Sequence, residues 1–180
     1  MAKDDLNTWF SSIKEAYENY YKMLLKKGKL PLRSTDVGFW GASVSEEVWD
    51  LFIGYLNLYG NKKFIDLGSG DGKVALLASL FTNSTGIEHD EELHGVAEHM
   101  KKHFKLSTNF VRGNFLEHDL SPYDLLFINP DQPMHALEKK LLREMNGKLV
   151  VYGLHYQPTT LKKVRSFSVG GTPVSIYTRP

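Results

Sequence analysis

An acid followed by glycines at alternate positions, Asp66-Leu67-Gly68-Ser69-Gly70-Asp71-Gly72, stands between a short apolar run and a helix-forming one. Glycines there let bare backbone come close to a ligand, and the helix that follows offers unpaired N–H donors at its start. Spacing limits the ligand. A dinucleotide fingerprint needs glycine at position 73, where Lys73 stands. A phosphate-binding P-loop needs glycine at position 67 and Ser or Thr after the Gly-Lys pair, where Leu67 and Val74 stand. What remains, from Ile65 to Gly72, is apolar-apolar-Asp-apolar-G-x-G-x-G, which suits a nucleotide-like group without phosphates.

Other groups with chemistry to offer close later apolar runs. Glu88 lies about twenty residues beyond Asp66, the position from which an acid accepts both hydroxyls of a ribose. Asn114 and Phe115 follow Gly113 and offer an amide oxygen, a backbone N–H and an aromatic face. Asn129-Pro130-Asp131-Gln132-Pro133 closes a strongly apolar run, with His135 just beyond and Tyr152 at the next such end. His89, His94, His99, His103 and His118 invite a metal reading, but no carboxylate pattern completes a ligand set, so no metal is expected. Lys101-Lys102-His103-Phe104-Lys105 reads as a charged helix end.

Positioning these groups requires an alternating α/β order. The pattern predicts an amphipathic helix over residues 4–27, with Leu6, Trp9, Phe10, Ile13, Tyr17, Tyr20, Tyr21, Leu24 and Leu25 at helical spacing. A loop from Gly28 to Gly41 follows, with an exposed Phe39-Trp40 pair. Ser43-Val44-Ser45-Glu46 then reads as a capping box for a helix ending near Gly60. Strands are expected from Lys63, over Ser84–Glu88, Asn109–Arg112, Tyr123–Asn129 and Gly147–Leu154. Helices are expected over Lys73–Phe81, Asp90–Phe104 and Met134–Met145. Near-continuous apolar strands alternating with helices imply a parallel sheet covered on both faces. Val164–Val169 and Val174–Arg179, joined across Gly170-Gly171, read as a terminal hairpin.

At 180 residues and 42% apolar content, the expectation is one domain: an extension over 1–40 and a catalytic core over 41–180. A net charge of +1 gives no global basic field for nucleic acid. With no cysteine, disulfides and thiol chemistry are excluded. No apolar run approaches the roughly 20 residues of a membrane span, so the expectation is a cytoplasmic protein without a membrane partner, as monomer or homodimer.

The stretch Ile65–Gly72 resembles the first motif of class I methyltransferases, which use S-adenosyl-L-methionine. The resemblance implies a three-layer, doubly wound, mostly parallel seven-stranded sheet whose antiparallel strand comes from the C-terminal hairpin. It also implies roles: Asp66 for the methionine ammonium, Gly68, Ser69 and Gly70 along the ligand, Glu88 for the ribose, Asn114 and Phe115 for the adenine. Asn129 and Asp131 fall where that class holds the groups nearest the transferred methyl, and Asp131, His135 and Tyr152, each expected near a strand end, are the candidates to help a lysine acceptor lose its proton. Base and glutamine N-methyltransferases commonly read Asp/Asn/Ser-Pro-Pro-aromatic there; this chain keeps Asn129-Pro130 but has Asp131-Gln132 next. Over about residues 37–156 the chain looks like small archaeal protein-lysine methyltransferases and, more distantly, non-SET histone lysine methyltransferases. In those, the helix start near Ser43 and Ser45 lies by the methionine carboxylate. The function implied is methyl transfer to a protein lysine. The competing readings are an N-methyltransferase acting on RNA, DNA or a small molecule, and a non-catalytic cofactor-binding or interaction protein.

Overall fold

In chain order the elements begin with α1 (Lys3–Lys26), the strands β1 (Leu32–Thr35) and β2 (Gly38–Gly41), and α2 (Ser45–Asp50). Then come β3 (Lys63–Leu67), α3 (Lys73–Ala78), β4 (Asn83–Glu88), α4 (Glu91–Phe104) and β5 (Asn109–Arg112). The chain finishes with β6 (Leu125–Ile128), α5 (His135–Glu144), β7 (Lys148–Tyr152), β8 (Lys162–Val169) and β9 (Thr172–Thr178). This computed structural model describes residues 3–60 and 63–180. Strands β3 to β9 form one seven-stranded sheet in the order β5-β4-β3-β6-β7-β9-β8. All neighbours are parallel except β9, which runs antiparallel to β7 and to β8. This is the doubly wound α/β sheet that the alternation implied. The antiparallel strand lies one place in from the edge, with β8 outside it.

Burial follows the two-residue period of the strands. Phe64, Phe127, Val150 and Ile176 join Ile13 and Tyr17 of α1, Val48 of α2, the α3 residues Val74 to Ala78, and Ala97 of α4 in one apolar layer. Ile65, Leu67, Leu126, Ile128, Leu149 and Val151 point the other way, against Leu137 and Leu141 of α5. Both faces are therefore covered, as continuous apolar strands require. The long first helix joins the first layer through Leu6, Ile13 and Tyr17, and its Leu24 packs with Trp40 and Leu93 in a smaller cluster, whereas Leu25, expected on its apolar face, is 52% exposed.

Two expectations fail in the N-terminal region. The segment read as a loop from Gly28 to Gly41 contains the β1–β2 hairpin, paired from Leu32↔Gly41 to Thr35↔Gly38. The capping box does not form: Val44 is the N-cap without a side-chain bond, and Ser45 is buried inside the helix. Glu46 is drawn away to an ion pair with Lys14 of α1. Nor does the helix run on to Gly60. After Asp50 the chain makes a π-helical turn over Leu51–Tyr55, and the wider turn buries Leu51 and Phe52 side by side.

Candidate functional site

In an open α/β sheet ligands bind beyond the carboxyl ends of the strands, where the strand order reverses. Here β3 is flanked by β4 on one side and β6 on the other, and a cavity of about 380 Å³ opens at their carboxyl ends. Its inner wall is the glycine turn after β3, with Glu88 at the carboxyl end of β4. Its outer wall is Asn129 to Met134 after β6, and the β1–β2 hairpin roofs it.

The glycine turn has the shape its sequence demanded. Gly68, Gly70 and Gly72 all have positive φ, at 75°, 54° and 83°. Two of the three also admit close neighbours: a Cβ on Gly70 would lie 2.4 Å from Trp40 of the hairpin, and one on Gly72 would lie 2.5 Å from Ala97. Any other residue at either position meets both backbone strain and overlap. Gly68 and Ser69 donate their N–H groups to the Ile87 carbonyl, which ties the turn to β4.

Three carboxylates gather at this wall, and they are held differently. Glu88 is buried, accepting from Gly70 N–H at 2.7 Å and from Asp90 N–H at 2.8 Å. Asp71 is buried too; it accepts from the Tyr21 hydroxyl at 2.6 Å and from Lys73 N–H at 3.2 Å. Burial pushes its pKa up, against the pull of the nearby Lys73 charge. Asp66, only 3% exposed, has no hydrogen-bond partner among the described residues. Burial, then the charges of Glu88 and Asp71, hold its pKa well above the usual carboxylate value. Ser69 Oγ on the same wall is buried and unpartnered as well. An unpaired buried acid and an unpaired hydroxyl beside bare backbone form a site for a cation that carries hydrogen-bonding groups.

The outer wall is more open. Asn129 and Asp131 are exposed residues that line the cavity. The Asp131 carboxylate accepts from Phe39 N–H of the hairpin, and Gln132 Nε2 donates to the Val37 carbonyl at 3.4 Å. On the opposite side Arg33 of β1 pairs with Asp90 at 2.7 Å, just past Glu88. The hairpin is thus tied at both rims. Tyr152, at the end of β7, lines the cavity and donates to Glu47; burial first, and then that bond, raises its pKa.

Of the sequence-predicted residues, Ser43, Asp66, Gly68, Ser69, Gly70, Glu88, Asn114, Phe115, Asn129 and Asp131 all line this one cavity. Ser45 and His135 do not. Ser45 is buried in the first turn of α2, and His135 is exposed at the start of α5, while its neighbours Met134, Ala136 and Leu137 face the cavity. Asn114 Oδ1 accepts from Leu116 N–H at 2.9 Å, closing a local turn. The five histidines form no ligand set, and among the described residues no group of metal-binding side chains assembles. Sequence reasoning missed the hairpin roof with Trp40, and the partners of Asp71, namely the buried Tyr17 and Lys73 and the half-buried Tyr21. Asp71 and Lys73, placed inside the turn and beside it, were the available signal.

A sequence profile for the family described as histone methylation protein DOT1 matches residues 41–142. An RNA methyltransferase from Salinibacter ruber, solved with S-adenosyl-L-homocysteine, superposes with a TM-score of 0.60 at 23% identity, over 66% of this chain and 81% of that one. The magnesium protoporphyrin IX methyltransferase of Synechocystis, with bound S-adenosylmethionine, superposes with a TM-score of 0.56 at 16% identity, over 69% and 72%. A tRNA (uracil-54, C5)-methyltransferase from Pyrococcus abyssi gives 0.55 at 16% identity, over 65% of this chain and 34% of its own length. At these identities the superpositions speak to the fold. A search of curated proteins returned no match.

Proposed function

The chain belongs to the histone methylation protein DOT1 family, and from that membership we propose that it methylates the side-chain amine of a lysine in a protein. It is a class I methyltransferase dependent on S-adenosyl-L-methionine. One observation supports this choice of acceptor: a single cavity joins an inner wall suited to the cofactor to a rim that carries the exposed Asp131 carboxylate, a group suited to a cationic amine.

The inner wall fits the cofactor on observations of its own. Asp66 and Ser69 Oγ lack partners, and an ammonium beside Asp66 restores the charge state that burial disfavours. Glu88 is oriented by two backbone N–H groups and has lone pairs left for the ribose hydroxyls. Ser43 and the glycine turn line the space beside Asp66. When bound, the cofactor supplies an activated methyl on sulfur, so the protein's task is alignment, worth roughly 7–11 kcal/mol. Asn129 supplies an amide to position the acceptor nitrogen. Asp131, with one oxygen on the hairpin, offers the other to the lysine ammonium and to the proton it must lose.

The half-motif Asn129-Pro130 favours a second reading, N-methylation of a nucleic-acid base. Incubating the protein with labelled cofactor and a cell extract separates the two. Label recovered as methyl-lysine in protein is the expected result, and label confined to RNA or DNA would select the second. We place the protein in the cytoplasm with a protein partner, as one unit of 1–180; among the described residues no helix is long and apolar enough to cross a membrane.

A further inference from the structure

None of the described side chains of α1 lines the cavity, yet α1 reaches the glycine turn from behind. The Tyr21 hydroxyl donates to the Asp71 carboxylate at 2.6 Å, and the Tyr17 hydroxyl donates to the Asp71 carbonyl at 2.9 Å. Both bonds cross about fifty positions of sequence, so they form only when α1 docks on the sheet. Lys73, 1% exposed, completes the cluster: its Nζ lies 4.9 Å from the centre of the Tyr21 ring and donates to the Ser43 carbonyl, itself on the cavity wall. A single cluster therefore holds the turn, the segment leading into α2, and α1.

This matters because the turn's other ties are backbone N–H bonds to the Ile87 carbonyl and to Glu88, and apart from Asp71 no side chain of the turn anchors it. Gly68, Gly70 and Gly72 contribute no side chains, and glycine at positive φ gives up more chain freedom on ordering than any other residue. The Ser69 hydroxyl is unpartnered. Asp71 is the residue of the turn whose side chain and carbonyl are both anchored, and α1 supplies both hydroxyl donors. We infer that Tyr17 and Tyr21 are positioning residues for the cofactor: through Asp71 they fix the glycine turn in its binding shape, which makes α1 part of the methyl-donor site although it never touches the ligand.

The inference rests on the methyltransferase reading for its functional consequence but not for its structural one, and the two are measured apart. Tyr21→Phe and Tyr17→Phe keep the rings and delete the hydroxyls. Tyr20→Phe is the control, since Tyr20 packs beside Tyr21 at 5.6 Å and its hydroxyl has no hydrogen-bond partner among the described residues. Amide hydrogen exchange on the ligand-free protein should show faster exchange at Gly68–Gly72 in Tyr21→Phe and Tyr17→Phe than in Tyr20→Phe, with strand amides unchanged. Steady-state kinetics should show KM for S-adenosylmethionine raised about tenfold in Tyr21→Phe, with kcat at saturating cofactor within about twofold of wild type. Unchanged turn exchange in both variants overturns the inference whatever the kinetics. Faster exchange with unchanged KM overturns the link to cofactor binding. If the wild type neither binds nor uses the cofactor, the proposed function falls, and the exchange data still decide whether α1 pins the turn.

Discussion

The two walls of the cavity hold their polar groups in opposite ways. On the inner wall Glu88 and Asp71 are buried and fixed by backbone and tyrosine donors, and both are bonded to the glycine turn or lie in it. On the outer wall Asn129, Asp131 and Gln132 are exposed, and the bonds of Asp131 and Gln132 run to the β1–β2 hairpin rather than into the core. A rigid inner wall suits a ligand that is always the same. A rim tied only to a surface hairpin suits an acceptor that must enter and leave, because contacts with little burial open at low free-energy cost.

The largest break in this comparison is Gly70→Ala. A left-handed alanine costs about 1–2 kcal/mol, and its Cβ would overlap Trp40, so the variant should lose measurable cofactor binding and melt about 5 °C lower. Differential scanning calorimetry with and without S-adenosylhomocysteine checks both. Next in size, Asp131→Asn should lower kcat about tenfold at saturating cofactor, since it removes the charge proposed to meet the acceptor. Kinetics on the methylated protein would refute this by showing equal kcat.

A smaller effect concerns pH. Asp66 has a raised native pKa, so the folded chain keeps a proton there after the unfolded chain has lost it. Stability therefore falls as pH rises from near 3.8 towards the native value, and Asp66→Asn removes that slope. The melting temperature of the variant relative to wild type should climb between pH 4 and 8; a constant difference contradicts the raised pKa. Smallest of all, His135→Ala should change activity and stability by less than about 0.5 kcal/mol, because the side chain is exposed and outside the cavity.

Much of the inner wall was legible because its chemistry is local. Asp66, the alternating glycines and Glu88 lie on one strand-turn-helix-strand unit, and the unit's fold follows from its apolar strands. The roof was not legible. Leu32–Gly41 follows Pro31 and has glycines at both ends of β2, which read as a loop; the hairpin is held by Arg33 to Asp90 and by Asp131 to Phe39, partners 57 and 92 positions away. The capping box failed for the same reason, since Glu46 answers to Lys14 across the fold rather than to its own helix end. His135 was placed by distance along the chain from Asn129, and only the helical phase of α5 shows it facing outward.

Isothermal titration of S-adenosylhomocysteine into wild type, Asp66→Asn and Asp131→Asn tests the division between the walls directly. The account predicts binding by wild type, about a hundredfold loss in Asp66→Asn as a buried charge partner is removed, and affinity within about threefold of wild type in Asp131→Asn. Equal losses in the two variants, or no loss in Asp66→Asn, would contradict it.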